Sequence, residues 1–379
     1  MNRQIHYKNK IWISFIVLSF VIILMFCIGY VYFNVPLRTQ IYRSIFKGNW
    51  NLVADGDTVY ATGYCGIRKY LIKNGEADVL AENESFLNHR MVGNGAAVKD
   101  GYIFLACRSY LPGPDKNDKA GYEGKLVVMH KSDLKILSEF FLPSKMNDAT
   151  VCDSILLLSG INRFILFNIN TPQYPQKLSE HKSSEYKEYQ GTAVWKENGR
   201  RYAAFTLFTL GIDIWDITDN TNPKFLKNIN LSDVCGGNKN IQTLAIKAHY
   251  PYLFATLAPM HNVYFKKDDV RGVIRLDVRN MQDIRAKAFY IPRKDYWEPM
   301  PGDSHHKSID IYNDNIYLSA ATSGTAVFKI KKNGDLQYKG LMDVSFGNDQ
   351  IFPICVTKSA FLVSGDWNWN KIHVKNLKN

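Results

Sequence analysis

The chain has 379 residues, 46% of them hydrophobic and 13% aromatic, with a formal net charge of +12. That apolar content supplies a large core and excludes an intrinsically disordered polypeptide. Lys and Arg are scattered along the whole length, and no RNA-binding or helix-turn-helix signature accompanies them. The charge therefore points away from a nucleic-acid partner and towards anionic lipid headgroups or cell-wall polymers.

Residues 1–10 form a short basic tail with Arg3, Lys8 and Lys10. Residues 11–33 contain no charged side chain and consist mainly of Ile, Val, Leu, Phe, Met and Tyr. As a helix this segment reaches about 35 Å, enough to span a bilayer core. Trp12 at one end and Tyr30 and Tyr32 at the other suit the two interfaces. The apolar run is too long for a typical cleaved signal peptide, no small-residue cleavage site follows, and Phe26 precedes Cys27 where a lipoprotein box needs a small residue. The segment reads as an uncleaved transmembrane signal anchor. Arg38, Arg43 and Lys47 beyond it nearly balance the charge before it. A short basic N-terminus ahead of a first apolar segment nevertheless normally stays in the cytoplasm. The expectation is a single-pass cell-membrane protein with an extracytoplasmic C-terminal domain. Residues 34–40 are a linker, and residues 41–379 are one β domain.

That domain repeats a strand, a turn and a strand. The copies are GIRKYLIKNGEADVL from Gly66, KLVVMHKSDLKILSEFFL from Lys125, RFILFNINTPQYPQKL from Arg163 and GIDIWDITDNTNPKFLKNI from Gly211. They continue with GVIRLDVRNMQDIRAKAFYI from Gly272, GTAVFKIKKNGDLQYKGLM from Gly324 and a truncated KIHVKNLKN from Lys371. Strand-forming apolar residues alternate with Asp, Asn, Thr, Gly and Pro turn chemistry. Two further strand-like runs lie between copies, as at residues 96–98 and 102–106. A pair of strands cannot bury a core alone, so repetition stabilises it, and a period of roughly 40 to 60 residues suits one four-stranded blade. A sandwich or two smaller barrels would be the competing architecture.

The stretch Ile214-Trp215-Asp216-Ile217, followed by Thr-Asp-Asn-Thr-Asn-Pro, resembles the LVIVP repeat of bacterial and archaeal β-propellers. The resemblance is good over residues 211–228 and fair over 163–178; elsewhere the apolar rhythm persists without the turn Pro. It implies a fold and leaves the chemistry open. The expected fold is all-β, a seven-bladed β-propeller preceded by one N-terminal transmembrane helix. The last unit has room for three strands only. Residues 41–46 (IYRSIF) alternate at strand period and are expected to close the ring as the outer strand of the last blade.

Four long insertions fall into second-to-third strand loops or blade-to-blade connections, which share the face around the channel mouth. They cover residues 108–123, 258–270, 292–306 and 366–370, while turns such as 99–101 and 332–334 on the opposite face stay short. The insertions are rich in aromatic residues: Tyr110, Tyr122, Tyr264, Phe265, Tyr296, Trp297, Trp367 and Trp369. Such side chains give large, stiff contact area with a polar handle, which suits recognition of a protein or a cell-envelope glycan. The competing role for them is a lid packed over the blades. Asp148, Gln190 and Gln242 precede innermost strands and are candidates for the channel wall.

The resulting expectation is a binding scaffold that needs no cofactor. The alternative is a metal-dependent hydrolase in which His261, Asp303, His305 and His306 hold a divalent ion at the mouth. No nucleophile elbow, phosphate loop or HExxH motif is present to suggest another enzyme class. His249 belongs to an opposite-face turn. Of the cysteines outside the anchor, Cys65, Cys107, Cys152 and Cys355 lie in or near apolar strands and are expected to be buried, whereas Cys235, beside Gly236 and Gly237, is expected to be exposed. No CxxC pair indicates zinc or redox chemistry.

Overall fold

The computed structural model describes residues 49–63, 66–86, 91–109, 123–259, 270–295, 309–319, 324–342, 351–366 and 372–378, together with Val21, Leu24 and Met25. Those last three are helical, apolar and exposed. Among the described residues no helix is long and apolar enough to cross a membrane. The rest of the span expected at 11–33, the tail, the linker and the closing strand expected at 41–46 lie outside the described residues, as does Cys65.

The described strands form seven antiparallel sheets in chain order. Blade 1 holds β1 (Asn49–Asp55), β2 (Thr58–Gly63), β3 (Gly66–Lys73) and β4 (Glu76–Asn83). Blade 2 holds β5 (Met91–Lys99), β6 (Tyr102–Ser109), β7 (Gly124–His130) and β8 (Ile136–Leu142). Blade 3 has β9 (Met146–Cys152), β10 (Ile155–Gly160), β11 (Arg163–Asn168) and β12 (Gln176–Lys182), and blade 4 has β13 (Thr192–Glu197), β14 (Arg200–Thr206), β15 (Ile212–Asp216) and β16 (Lys224–Ile229). Blade 5 departs from the pattern because its inner strand is broken into β17 (Ile241–Gln242) and β18 (Ile246–His249) before β19 (Tyr252–Pro259), β20 (Gly272–Asp277) and β21 (Arg285–Tyr290). Blade 6 has β22 (Ile309–Tyr312), β23 (Asn315–Ser319), β24 (Thr325–Ile330) and β25 (Leu336–Met342). The described part of blade 7 is β26 (Ile351–Val356), β27 (Phe361–Asp366) and β28 (Ile372–Asn376). The inner strands are neighbours all the way round, and β26 lies against β1, so the ring closes.

The hydrophobic core is divided into seams between adjacent blades. One joins blades 1 and 2 through Tyr60, Ile67, Ile103 and Leu105; another joins blades 3 and 4 through Phe164, Tyr189, Phe205 and Trp215. The closing seam packs Leu52, Val59 and Ala61 of blade 1 against Cys355 and Val363 of blade 7. Because each blade is sandwiched, its middle strands are buried on both faces and read as continuous apolar runs, as in β10 (ILLLSG). Outer strands such as β16 are largely exposed.

The repeat residues each have a packing reason. Within β15, Ile212 and Ile214 face blade 5 while Trp215 faces blade 3, as strand alternation requires. The turn after β15 is held by Asp216, which accepts the Thr218 amide at 2.9 Å, and by Asp219, which accepts the Thr221 amide at 3.0 Å. The same Asx geometry recurs at Asn168 and Asp277 without the full motif. Four copies begin with Gly, and at Gly66, Gly211 and Gly272 the fourth-strand backbone leaves no room for a side chain: a Cβ on Gly211, whose φ is +103°, would lie 2.2 Å from the Ile229 carbonyl oxygen.

Two cysteine expectations are corrected. Cys235 is buried, because it ends the short helix Leu231–Val234 whose Leu231 packs into the seam between blades 4 and 5; the two glycines after it turn the chain and do not expose the thiol. Cys152 is half-buried, since it ends an inner strand at the turn. Cys107 and Cys355 are buried and unpaired, as the apolar strands around them suggest.

Candidate functional site at the mouth and central shaft

In a four-stranded antiparallel meander, the first strand's start, the second's end, the third's start and the fourth's end share one edge. Hydrogen bonds between turns identify the opposite edge. There Lys131 donates its amide to the Gly101 carbonyl at 2.7 Å, and the Tyr250 hydroxyl donates to Glu197 at 3.0 Å. His249 belongs to this side, 3.7 Å from Asp314. The turns here are short, as at Asp100–Gly101 between β5 and β6. The strand ends that bracket the four insertions open on the other side: Ser109 with Gly124, Pro259 with Gly272, Tyr290 with Ile309, and Asp366 with Ile372.

Tyr110, Tyr122, Tyr264, Phe265, Tyr296, Trp297, Trp367 and Trp369 lie outside the described residues, as do His261, Asp303, His305 and His306. Among the described residues no group of three or more His, Cys, Asp or Glu side chains gathers to hold a metal.

The other three sequence candidates fall in different places. Asp148 sits on β9, faces the central shaft, and is held by the backbone: Oδ1 accepts the Ala149 amide at 2.6 Å and Oδ2 accepts the Thr192 amide of blade 4 at 3.0 Å. It thus couples two blades as well as lining the wall. Gln190, 2% exposed, lies just before β13 and is not part of the shaft wall; neither its Nε2 nor its Oε1 has a hydrogen-bond partner. Gln242 turns back into its own blade and donates to the Pro259 carbonyl at 2.8 Å.

A collar of polar contacts joins blades around the mouth. Asn94 donates to Asn147 at 3.4 Å, Asn147 donates to the Tyr189 carbonyl at 2.9 Å, and Arg108 donates to Asn147 at 2.9 Å while lying 3.6 Å from Glu188. Burial, reinforced by the positive charge of Arg108, brings the Lys145 ammonium down to about 8. Lys187 pairs with the fully buried Asp213 at 3.0 Å.

Sequence reasoning missed three shaft residues. Lys247 on β18 lies 3.3 Å from Asp310 on β22, and that carboxylate raises the Lys247 pKa. Asp310 also accepts the Ile311 amide at 3.0 Å and the Val356 amide of blade 7 at 2.8 Å. Asn51 on β1 is the third. The available signal was a charged or amide side chain isolated within an apolar inner strand, as in the Ile309-Asp310-Ile311 run.

No family model and no curated protein matches the chain. Among solved structures it is similar to the WD40 β-propeller domain of Doa1, with 11% identity over 86% of this chain and 92% of that one, and a TM-score of 0.52. It is also similar to the computationally designed Ika8 protein, with 12% identity over 87% and 83% of the two chains and a TM-score of 0.49. At such identity the likeness to the WD40 domain is one of fold alone. The chain is a seven-bladed, all-β propeller.

Proposed function

We propose that this protein is a membrane-tethered, extracytoplasmic propeller of LVIVP type that works as a binding scaffold, recognising a protein or cell-envelope glycan through its mouth. One observation carries the reading: the strand ends bracketing all four long insertions open on the same side of the ring, whereas the opposite side carries short turns. Long, aromatic-rich connections on one side of a stiff ring are where recognition residues concentrate. The uncharged run at 11–33 supports a tether, with residues 1–10 cytoplasmic and 34–40 as linker, and the net charge of +12 suits an anionic envelope surface. In this reading residues 41–46 complete blade 7 as its outer strand and hold the ring close to the bilayer.

The test is site-specific photo-crosslinking in cells, with the probe at Trp297 and a control probe at Asn333 on the opposite side. A discrete protein or glycan captured at Trp297 alone, and lost when Trp369→Ala is added, is the expected result. Equal or empty capture at both positions overturns the scaffold. Stoichiometric metal in the purified protein, removed by His305→Ala with His306→Ala, would instead favour a hydrolase using His261, Asp303, His305 and His306.

A further inference from the structure

The fourth strands form the rim of the ring, and two of them differ from the rest. β4 (EADVLAEN) leaves Val79 57% and Leu80 52% exposed, and β16 (KFLKNI) leaves Phe225 50% and Leu226 40% exposed. No other described rim strand exposes two adjacent large apolar side chains; β8 offers Phe141 alone, β21 Tyr290 and β25 Leu341. In both strands the second member of the pair is a bulged residue. Lys69 opposes Ala81 and Tyr70 opposes Val79, so Leu80 is extra; Ile214 opposes Lys227 and Trp215 opposes Phe225, so Leu226 is extra. A bulge bends an edge strand and spoils it as a template for another strand, so these rims offer side chains and not a backbone ladder.

The flanking charges are opposite in sign. β4 carries Glu76, Asp78 and Glu82 with no basic residue, and β16 carries Lys224 and Lys227 with no acidic one. Arg68 engages Glu82 at 3.0 Å, but Glu76, Asp78, Lys224 and Lys227 form no ion pair among the described residues. The basic rim strand β21 is different, since Arg285 pairs with Asp283 and Lys287 with Asp335, each at 3.0 Å. Phe225 is also held in place. Trp215 meets it edge-on with ring centroids 5.4 Å apart, and the Lys187 ammonium lies 5.9 Å from its ring centre. A fixed, exposed ring between two unpaired lysines is an anchor ordered before it binds.

We infer that blade 1 of one molecule docks on blade 4 of a second copy of this chain, Val79 and Leu80 against Phe225 and Leu226, with the β4 carboxylates beside the β16 lysines. Blades 1 and 4 are three steps apart in a ring of seven, so their rims look in nearly opposite directions and a single partner cannot cover both. The contact is therefore heterologous and repeats into rows. Two apolar side chains from each copy make a small contact, well below what a stable complex in dilute solution needs. Association then depends on crowding, which a membrane tether would supply by holding copies in one plane. The docking rims are separate from the mouth and stand whether or not the insertions there recognise a partner.

The test is cysteine crosslinking of the full chain in intact cells with a short bis-maleimide, the wild type serving as blank. Leu80→Cys with Leu226→Cys in one chain leaves Val79 and Phe225 in place and should give a ladder of dimers, trimers and larger species. Either variant alone should stay monomeric, and the two single variants co-expressed should stop at a dimer. Adding Lys224→Glu with Lys227→Glu should cut the crosslinked fraction by about tenfold or more, because like charges then face each other. Adding Glu76→Lys with Asp78→Lys as well should restore it. The thermal midpoint of each variant checks folding. Monomer alone from the folded double variant overturns the inference, as does a dimer from Leu80→Cys by itself, which would mark a symmetric contact. An equal ladder from Leu80→Cys with Leu341→Cys, or failure of the second charge reversal to restore crosslinking, overturns it too, since either marks random collision.

Discussion

The seam between blades 3 and 4 and the seam between blades 7 and 1 do the same job with different means. At the first, Phe164 stacks on Phe205 with ring centroids 4.7 Å apart, and Trp215 meets Phe164 edge-on at 5.0 Å. Polar staples sit at its mouth end: Ser159 donates to the Gln190 carbonyl at 3.3 Å and the Thr192 hydroxyl donates to Ser159 at 3.0 Å. The second seam is mainly aliphatic, and its staple lies at the opposite end, where Asp57 accepts the Ser359 amide at 2.8 Å and its hydroxyl at 2.6 Å across 302 residues of sequence. The difference follows from connectivity. Consecutive blades share a short connecting segment whose own amides and carbonyls serve the staples, whereas the closing seam joins distant parts of the chain and bears a larger loop-closure entropy. The closing seam is therefore where the ring is expected to open first, with earlier amide exchange there than at blades 3 and 4.

Truncating the aromatic seam should have the largest effect. Phe205→Ala removes a fully buried ring and is expected to cost about 3–5 kcal/mol by denaturant titration. A cost under about 1 kcal/mol would mean that the seam does not bear the load its packing suggests.

Next comes the closing staple. Asp57→Ala should cost about 1–2 kcal/mol, the net worth of two hydrogen bonds to a partly exposed carboxylate. Its hydrogen bonds to Ser359 hold the Asp57 carboxyl below its ordinary value of 3.8. That stabilisation is present above the ordinary value and is lost as pH falls through the lower folded one. Asp57→Asn should flatten this acid limb of the stability curve, and exchange at the closing seam should accelerate in the same variant.

A smaller change of opposite sign is expected at Asn51. Asn51→Leu removes an unsatisfied buried amide and should raise stability by about 1 kcal/mol. A loss of comparable size would show that ordered water satisfies the amide.

The connection between blades 2 and 3 should make stability respond to alkaline pH. The folded protein holds Lys145 near 8 against an ordinary 10.5, so the unfolded chain binds more protons between those values and stability rises with pH through that window. Lys145→Met should abolish the rise, read as the difference between melting midpoints at the two ends of the window.

Much of the ring was legible in the chain. The seven strand–turn–strand copies coincide with the third and fourth strands of blades 1 to 6 and the third strand of blade 7, down to the glycines that head many of them, because period-two alternation and Asx turns are local properties. Which insertions share a face was legible for the same reason, since strand direction alternates in a meander. Gln242 and Cys235 were misread. The first turns back onto Pro259 and the second is covered by a helix end, and neither arrangement leaves a mark in residue type.

Sequence by itself determined the repeat, the number of blades and the side on which the long connections open, all consequences of backbone periodicity and chain order. Tertiary structure alone decided that Asn51, Lys247 and Asp310, drawn from three blades, come together with Asp148 around one shaft, and that the buried Asn51 amide is left without a partner. The convergence arises from closing the ring, which brings residues far apart in the chain to a common axis, and no local pattern records that.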